Sequence, residues 1–206
     1  MDHEADKIID LYERHAHDYV IDRGRQIWNE NIWLDRFTAL LPEEGSILDI
    51  GCGSGDPIAR YLFERGFAVR GVDTSPTLIS LCLEHFPHLC WQVVDMRALA
   101  LGRTFHGLLA WDSLFHLTHE DQRRMFPIFK RHAEPGAALM FTTGTAHGVA
   151  TGSYRGEPLY HASLAAREYE TLLETNGFRV VAHVLEDPNC GGHTIWLAQA
   201  RPGDDI

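Results

Sequence analysis

The sequence predicts an α/β fold built on a doubly wound, largely parallel sheet. Short apolar runs alternate with segments of helical periodicity from about residue 45 onward, as a sheet covered by helices on both faces requires. A glycine-rich turn directly follows the first apolar run. The last two runs, Phe178–Leu185 and Thr194–Ala200, are joined by the short segment Glu186–His193, which leaves no room for a helical crossover. The final pair of strands is therefore predicted to be antiparallel.

Two amphipathic helices are predicted before the sheet, over residues 4–19 and 26–41. The apolar side chains at helical spacing in these segments are Ile8, Leu11, Tyr12, Ala16, Trp33, Phe37, Leu40 and Leu41. Packing is the first interpretation of the aromatic residues Tyr12, Tyr19, Trp28 and Trp33. The alternative is that the helices fold over a ligand cleft as a lid.

The first strand is predicted at Ile47–Ile50, and a turn with glycines at positions 51, 53 and 55 follows it. Glycine lets the backbone turn sharply and lets a ligand approach the main chain closely. Ser54 is the expected N-cap of the next helix, and Pro57 is expected just inside it. The alternative is a turn that needs glycine only for its backbone angles.

The second strand, Phe67–Val72, ends at Asp73, which is 20 residues after Gly53. A carboxylate at this spacing reaches the ribose of a bound nucleotide. Asp73 could instead cap the helix opened by Pro76, although Ser75 can fill that role. A dinucleotide fingerprint requires a third glycine where this chain has Asp56, so NAD is disfavoured.

The remaining core elements follow from apolar runs and capping signals. The third, fourth and fifth strands are predicted at Leu89–Val94, Phe105–Trp111 and Ala137–Thr143. Thr118 and Asp121 form the pattern of a capping box, and Pro127 predicts a kink or a restart in the helix that follows. Ser163 is the expected cap of a last helix that ends at Asn176–Gly177.

Residues 144–162 are predicted to form a long loop without secondary structure of its own. A loop of this kind is often functional, and this one leaves the fifth strand on the ligand side of the sheet. We expect it to act as an acceptor-binding flap through Glu157, Tyr160 and His161. The alternative is a tolerated surface insertion. His193 is expected at the same edge of the sheet, with Asp187 and Cys190, as a further acceptor-binding residue.

The composition is that of a soluble globular domain, and 18 basic against 29 acidic residues give a net charge of −11. This charge disfavours nucleic acid and anionic membranes as partners. The four cysteines form no C-x-x-C pair, and no apolar run approaches the length of a membrane span. We therefore expect a cytoplasmic protein. The 13 histidines show no metal-binding spacing, so no metal site is predicted.

Four motifs in this order, LDIGCGSG, GVDTSP, VVDMRAL and LLAWDSLFHLTHED, resemble those of the class I methyltransferases that use S-adenosylmethionine. The resemblance covers roughly residues 45–143. It implies a Rossmann-like seven-stranded mixed sheet, and the segment YERHAHDYV is similar to the tyrosine-containing lid of small-molecule methyltransferases. It also implies that the cofactor is contacted by Tyr19, Asp49, Gly51, Cys52, Gly53, Asp73, Thr74, Asp95, Met96 and Trp111.

The resemblance implies methyl transfer to a small-molecule acceptor, with Asp95 taking the adenine amine and Met96 packing on the ring. His116 is the candidate base, because it follows the fourth strand and has an ordinary pKa close to working pH. A packing or capping role for His116 is equally open. Two other functions remain as alternatives: a non-catalytic, cofactor-binding regulator and an NAD-dependent oxidoreductase.

We expect residues 1–206 to form one domain, as a monomer or a homodimer. It would comprise N-terminal helices over 1–44, a cofactor-binding core over 45–143, the flap over 144–162, and a helix and hairpin over 163–206.

Overall fold

A computed structural model describes residues 2–27 and 29–203, with backbone alone for Asp2 and His3. Trp28, one of the four aromatic residues considered for the lid, lies outside the described residues. The helices are α1 (Asp2–Arg14), α2 (Ala16–Arg23), α3 (Asn31–Thr38), α4 (Ile58–Glu64), α5 (Pro76–His85), α6 (His119–His132) and α7 (Ala166–Thr175). The strands are β1 (Ser46–Ile50), β2 (Ala68–Asp73), β3 (Cys90–Val93), β4 (Phe105–Ala110), β5 (Ala133–Thr143), β6 (Gly148–Tyr154), β7 (Glu157–Ser163), β8 (Phe178–Asp187) and β9 (His193–Ala200).

The main sheet has seven strands in the order β3-β2-β1-β4-β5-β9-β8. The first five run parallel to their neighbours, and β9 is antiparallel to both β5 and β8. The predicted mixed sheet with an antiparallel last strand is confirmed. The strand order reverses between β1 and β4, which is where sheets of this type bind ligands at their carboxyl ends.

Apolar side chains cover both faces of the sheet, as a doubly wound fold requires. One face packs against α6 and α7, where Phe126, Tyr169 and Trp196 are buried together. The other face packs against α3, α4 and α5, with Trp33 and Phe37 fully buried. Because helices cover both faces of the sheet, the carboxyl ends of its parallel strands remain available to a ligand.

The bounds predicted for the two N-terminal helices are wrong. The first predicted helix is divided at His15, whose φ and ψ of −108° and 21° interrupt the helix and separate α1 from α2. α2 ends at Gly24, where φ is 68°. The second predicted helix is shorter than expected and spans only α3, because residues 24–27 leave helical geometry.

The predicted start of the helix after the glycine turn is also wrong. Ser54 does not cap α4; Pro57 occupies the N-cap position, and the helix begins at Ile58. The physical reason is that left-handed glycines at 51, 53 and 55 prolong the turn past Ser54.

Two other capping predictions are confirmed. The Ser75 hydroxyl accepts a hydrogen bond from the Leu78 N–H at 3.1 Å, and the Thr118 hydroxyl accepts one from the Asp121 N–H at 3.1 Å. Of the kink or restart predicted at Pro127, the restart is wrong, because α6 continues through the proline. Buried residues on both sides of the proline, including Met125 and Phe129, pack against the sheet and keep the two halves of α6 together.

The loop predicted at 144–162 is instead a β-hairpin. β6 and β7 form a separate two-stranded antiparallel sheet, and Arg155 and Gly156 at its tip have positive φ of 51° and 82°. Two consecutive left-handed residues suit the twist of a tight hairpin. Ser163, predicted to cap a helix, lies at the end of β7, where its hydroxyl accepts the Gly144 N–H at 2.6 Å. α7 begins three residues later, at Ala166.

Within residues 2–27 and 29–203, none of the helices combines the length and apolar character needed to cross a membrane.

Candidate functional site

Three adjoining cavities lie at the carboxyl ends of the parallel strands, beneath α1, α2 and the β6–β7 hairpin. The inner cavity, of about 100 Å³, is lined by Tyr12, Tyr19, Gly53, Asp73, Asp95 and Met96, among others. The middle cavity, of about 450 Å³, includes Asp49, Cys52, Trp111, Asp112, His161 and His193. The outer cavity, of about 400 Å³, includes Phe115, Thr145, Ala146, Val149, Ala150 and His161.

The glycine turn separates the inner and middle cavities. Gly51 and Gly53 have φ of 78° and 56°, which L side chains rarely adopt. A Cβ atom on Gly51 would lie 2.4 Å from the Ser113 Cβ, and one on Gly53 would lie 3.1 Å from the Tyr19 ring. The turn therefore needs glycine for space as well as for its backbone angles, and it presents bare main chain toward Tyr19.

Asp73 is held at the end of β2 by two main-chain donors. Its Oδ2 accepts the Gly53 N–H at 2.9 Å, and its Oδ1 accepts the Ser75 N–H at 2.9 Å. Burial raises the pKa of this carboxyl, although the N–H groups of Ser75 and Gly53 oppose the change. Together with Thr74, Asp73 lines the inner cavity at a fixed orientation.

Asp95 and Met96 line the inner cavity opposite Asp73. Burial acts to raise the pKa of Asp95, but its hydrogen bonds with Arg97 outweigh that effect and lower it. The Arg97 guanidinium donates to both Asp95 oxygens, with distances between 2.6 and 3.1 Å. Arg97 also donates to Asp6 of α1 at 3.1 Å, so the floor of the cavity is tied to the helix above it.

Asp49, Cys52 and Trp111 line the middle cavity. Asp49 is buried, and burial, reinforced by the charge of Asp73, raises its pKa to about 7. Burial also raises the pKa of the Cys52 thiol, which lies behind the glycine turn. The buried Trp111 Nε1 has no hydrogen-bond partner among the described residues.

His116 and Tyr12 form a hydrogen-bonded pair between the inner and middle cavities. The His116 Nδ1 lies 2.9 Å from the Tyr160 carbonyl, which can only accept, so Nδ1 carries the proton. Nε2 then accepts the Tyr12 hydroxyl at 3.1 Å. Burial lowers the pKa of His116 to about 4, so the ring is neutral at pH 7. A neutral His116 therefore fixes the direction of the Tyr12 hydroxyl.

His193 and Asp112 form an ion pair on the opposite wall of the middle cavity. The His193 Nε2 donates to the Asp112 carboxylate at 3.1 Å, and Nδ1 donates to the Cys190 carbonyl at 2.7 Å. The hydrogen bond to Asp112 raises the pKa of His193 to about 9, so the ring is charged at pH 7. Asp112 has φ of 49°, a strained geometry that directs it toward the cavity. Asp187 lies at the same edge, paired in register with His193, and its carboxylate accepts the Trp33 indole N–H at 2.8 Å.

Of the three hairpin residues predicted to bind the acceptor, only His161 lines these cavities. Its ring lies 5.0 Å from that of His116. Glu157 instead pairs with Arg14 and with His15, at 2.5 and 2.7 Å, because the hairpin tip folds back onto the N-terminal helices. Tyr160 packs beneath α1 and offers its carbonyl to His116. Glu157 and Tyr160 thus have structural contacts in this structure, and acceptor binding by them stays a prediction.

α1 and α2 lie over the inner cavity, and two further sets of hydrogen bonds hold them there besides those of Arg97 and Glu157. The Glu13 carboxylate accepts hydrogen bonds from the Ser75 hydroxyl and from the hydroxyl and N–H of Thr77, at the start of α5. Asp22 of α2 accepts hydrogen bonds from Tyr154 and Arg155 in the hairpin at 2.8 to 3.0 Å. Tyr19 lies beneath this cover, against Gly53.

Sequence reasoning missed the roles of Tyr12, Asp112 and Glu13. Helical spacing predicts a packing role or a lid role for Tyr12. It does not show that the Tyr12 hydroxyl contacts a histidine 104 residues away. Asp112 lies inside the quoted motif LLAWDSLFHLTHED, and its place two residues after the end of β4 is a signal that the sequence does contain. Among the residues that the structure describes, no group of three His, Cys, Asp or Glu side chains is arranged to hold a metal ion.

Two curated relatives of this chain are named as methyltransferases. The chain is 30% identical over 102 residues to a dTDP-4-amino-2,3,4,6-tetradeoxy-D-glucose N,N-dimethyltransferase of Saccharopolyspora spinosa, covering 48% of this chain and 41% of the relative. It is 33% identical over 125 residues to the putative methyltransferase YqeM of Bacillus subtilis (strain 168), covering 57% and 50%. The chain spans about half the length, or less, of these curated relatives.

Two solved structures share the fold. A Burkholderia thailandensis 1,6-didemethyltoxoflavin N1-methyltransferase, crystallised with S-adenosylhomocysteine, superposes with a TM-score of 0.75 at 17% identity, covering 98% of this chain and 91% of that one. The S-adenosylmethionine-bound amino pentose methyltransferase CalS10 of Micromonospora echinaspora gives 0.69 at 18% identity, covering 89% and 95%. A family model described as a methyltransferase domain matches residues 25–183, which is most of the chain and includes the five parallel strands β1 to β5. The glycine turn, Asp73 and the seven-stranded sheet thus agree with the family match, and the chain belongs to the methyltransferase domain family with the class I fold.

Proposed function

We propose that this protein transfers a methyl group from S-adenosylmethionine to a small-molecule acceptor. The observation that carries the proposal is the contact between Asp73 and the Gly53 N–H at 2.9 Å, which joins the end of β2 to the glycine turn. A half-buried carboxylate fixed beside bare main chain is the arrangement that receives a ribose. Relatives of this fold were crystallised with S-adenosylmethionine or S-adenosylhomocysteine, which supports the cofactor.

The donor set fits this cofactor. Asp73 offers carboxylate oxygens to ribose hydroxyls, and Asp95 and Met96 provide an acceptor and an apolar surface for adenine in the same cavity. Further contacts would come from Tyr19, Gly51, Gly53 and Thr74 around the inner cavity, and from Asp49, Cys52 and Trp111 around the middle one.

When bound, S-adenosylmethionine supplies a methyl group already activated on a sulfonium. The residues of the chain mainly have to orient the acceptor, a contribution that reaches roughly 7 to 11 kcal/mol in well-oriented systems. Tyr12, Asp112, His161 and His193 line the middle cavity, where an acceptor would lie. His116, the base candidate from the sequence, is buried and already accepts the Tyr12 hydroxyl. We therefore assign it the orientation of Tyr12 rather than proton abstraction.

We further propose that the methylated atom is nitrogen. An alcohol must lose its proton as it attacks, whereas a neutral amine attacks with its own lone pair. The histidines of the middle cavity are poorly suited to act as bases. His193 is already charged at pH 7, His116 has its free nitrogen occupied, and burial lowers the pKa of His161. The relative from Saccharopolyspora spinosa is an N,N-dimethyltransferase, which supports the same atom.

The proposal also includes the domain organisation, the location and the partners that the sequence predicts. We propose one domain over residues 1–206, acting in the cytoplasm as a monomer or a homodimer without nucleic acid or membrane partners. The net charge of −11 supports the last two points, because it repels phosphate groups.

The test is a titration calorimetry experiment with S-adenosylmethionine, S-adenosylhomocysteine and NAD, after removal of any co-purified ligand. We expect the first two to bind and NAD not to bind, and we expect S-adenosylhomocysteine to form with a panel of small amines. Binding of NAD alone would favour an oxidoreductase. Tight cofactor binding with no product across the panel would favour a non-catalytic regulator.

A further inference from the structure

Among the described residues that line the outer cavity, the one acidic or basic side chain is a histidine. Its wall is made of Phe115, small residues of the segment after β5, and the start of the hairpin. Burial lowers the pKa of that histidine, His161, so its ring is neutral at pH 7. The remaining side chains are methyl, hydroxyl or aliphatic groups, and Val149 presents an exposed apolar surface. This surface suits an uncharged, apolar ligand.

The outer cavity is continuous with the middle cavity. Five residues line both of them: Phe115, Thr143, Gly144, Thr145 and His161. His161 stands at the boundary, with its ring 5.0 Å from Phe115 and 5.0 Å from His116. A molecule whose reacting atom lies near Tyr12 and His116 can therefore extend past His161 into the outer cavity.

The charges of the middle cavity disfavour an anion. Its acidic residues are Asp49, Asp56, Asp112 and Glu186, and its basic residues other than neutral histidines are Arg23 and His193. Arg23 donates to Glu30 at 2.6 Å, and His193 donates to Asp112 at 3.1 Å. Both cations are therefore balanced by carboxylates. A diphosphate needs charge-assisted donors, and the two cations among the described residues of this cavity already donate to carboxylates.

We propose that the acceptor is an amine with an uncharged, apolar body that occupies the outer cavity, and that it is not linked to a nucleoside diphosphate. This inference rests on the proposed function and gives its substrate class. The acceptor nitrogen uses its lone pair to form the new N–C bond while the carbon–sulfur bond breaks and its electron pair stays on sulfur. The methylated ammonium then loses a proton to water.

The proposal is tested with a binding probe that does not depend on turnover. N-phenyl-1-naphthylamine is an uncharged aromatic amine whose fluorescence rises in an apolar cavity. We expect it to bind in the presence of saturating S-adenosylhomocysteine, and we expect dTDP not to displace it. Displacement by dTDP, or preferred methylation of a dTDP-linked amino sugar over arylalkylamines such as phenylethylamine, would overturn the proposal.

Two substitutions that introduce a negative charge test whether the probe binds in the outer cavity. Ala150 and Ala146 are exposed residues on different segments of the outer cavity wall. We expect Ala150→Glu and Ala146→Glu each to weaken probe binding about tenfold, since a carboxylate must be desolvated beneath an apolar ligand. Ser153→Glu is the matched control, because Ser153 is an exposed residue of the same strand as Ala150 and lies outside the cavity.

The same variants separate this inference from the proposed function. S-adenosylhomocysteine should bind all three variants with unchanged affinity, because Ala146, Ala150 and Ser153 lie outside the inner cavity. Loss of probe affinity in the control as well, or in neither cavity variant, would refute the placement of the acceptor. Failure of the wild-type protein to bind S-adenosylhomocysteine would instead refute the proposed function.

Discussion

At the scale of single residues, Asp73 joins two parts of the site. Its carboxylate binds the N–H groups of Gly53 and Ser75, so it shapes the glycine turn and the start of α5 at once. The same oxygens face the inner cavity. Removing this side chain should therefore affect ligand binding both directly and through the shape of the turn.

We predict that Asp73→Ala weakens S-adenosylhomocysteine binding about 100-fold, because hydrogen bonds to a charged group contribute about 1.5 to 3 kcal/mol. Titration calorimetry measures the change. Glu84→Ala, an exposed carboxylate on α5, is the control and should bind as wild type. Unchanged affinity in Asp73→Ala, with a normal thermal unfolding curve, would refute the ribose-binding role.

We predict that Tyr12→Phe lowers turnover about 10-fold, because it removes the hydroxyl that His116 orients. Steady-state kinetics with saturating cofactor measure this. Tyr61→Phe is the matched control, since the Tyr61 hydroxyl contacts Asp35 and the residue lines none of the three cavities.

For His116→Ala we expect a loss similar to that of Tyr12→Phe, as for a positioning residue. A loss near 10⁴-fold, with Tyr12→Phe little affected, would show instead that His116 acts as a base.

The His193–Asp112 pair predicts a pH dependence of stability. The folded-state pKa of His193 is raised to about 9, chiefly by the hydrogen bond to Asp112, with further contributions from the Cys190 carbonyl and Glu30. A raised pKa means that the folded state holds the proton more tightly than the unfolded state. The contribution of the pair is therefore complete below the ordinary histidine pKa of about 6.5 and is lost as pH rises toward 9.

We predict that the free energy of unfolding in urea falls between pH 6.5 and 9, and that Asp112→Asn makes this fall smaller. Equal slopes in the wild type and the variant would show that the pair is not formed in solution. His183→Gln is the control, since it removes a histidine of β8 remote from these cavities and should leave the slope unchanged.

At the scale of elements, α1 is attached to α5 through Glu13. The carboxylate takes two hydroxyl groups and one N–H at the start of α5, where the helix dipole also favours negative charge. The hydrogen bonds from Ser75 and Thr77 lower the pKa of Glu13, so it is charged at pH 7. This contact holds the cover of the inner cavity in place.

We predict that Glu13→Gln speeds amide hydrogen exchange in α1 about tenfold, since it replaces charge-assisted bonds with neutral ones. Exchange measured by mass spectrometry tests this. Asp10→Asn, an exposed carboxylate on the same helix, should leave the rate unchanged. Equal protection in Glu13→Gln and wild type would mean that apolar packing alone holds α1.

At the scale of the whole molecule, charge governs solubility. The chain carries −11 with histidines neutral, and 13 histidines gain charge as pH falls. We predict that turbidity of a concentrated solution rises as pH is lowered from 7.5 toward the isoelectric point near 5.5, and that it falls again on return to 7.5. Turbidity independent of pH would contradict this.

The sheet was predictable because its strands are apolar runs that depend on local sequence. The glycine turn and Asp73 each follow one of these runs directly, and the short link before the last run indicates antiparallel pairing. These features could therefore be predicted as well. The hairpin was missed because β6 is almost wholly exposed and rich in small residues, so it lacks the alternation of a half-buried strand. The Tyr12–His116 and Asp112–His193 pairs join residues 104 and 81 positions apart, and only the folded chain brings them together.

The hairpin forms a sheet of its own rather than extending the main one. None of its backbone pairing supports the seven-stranded core, yet it contributes His161, Val149 and Ala150 to the outer cavity. Substitutions in β6 can therefore alter the acceptor surface at little cost to the core. Under the proposed function, changes in β6 would alter the choice of acceptor and leave the residues proposed to bind the cofactor as they are.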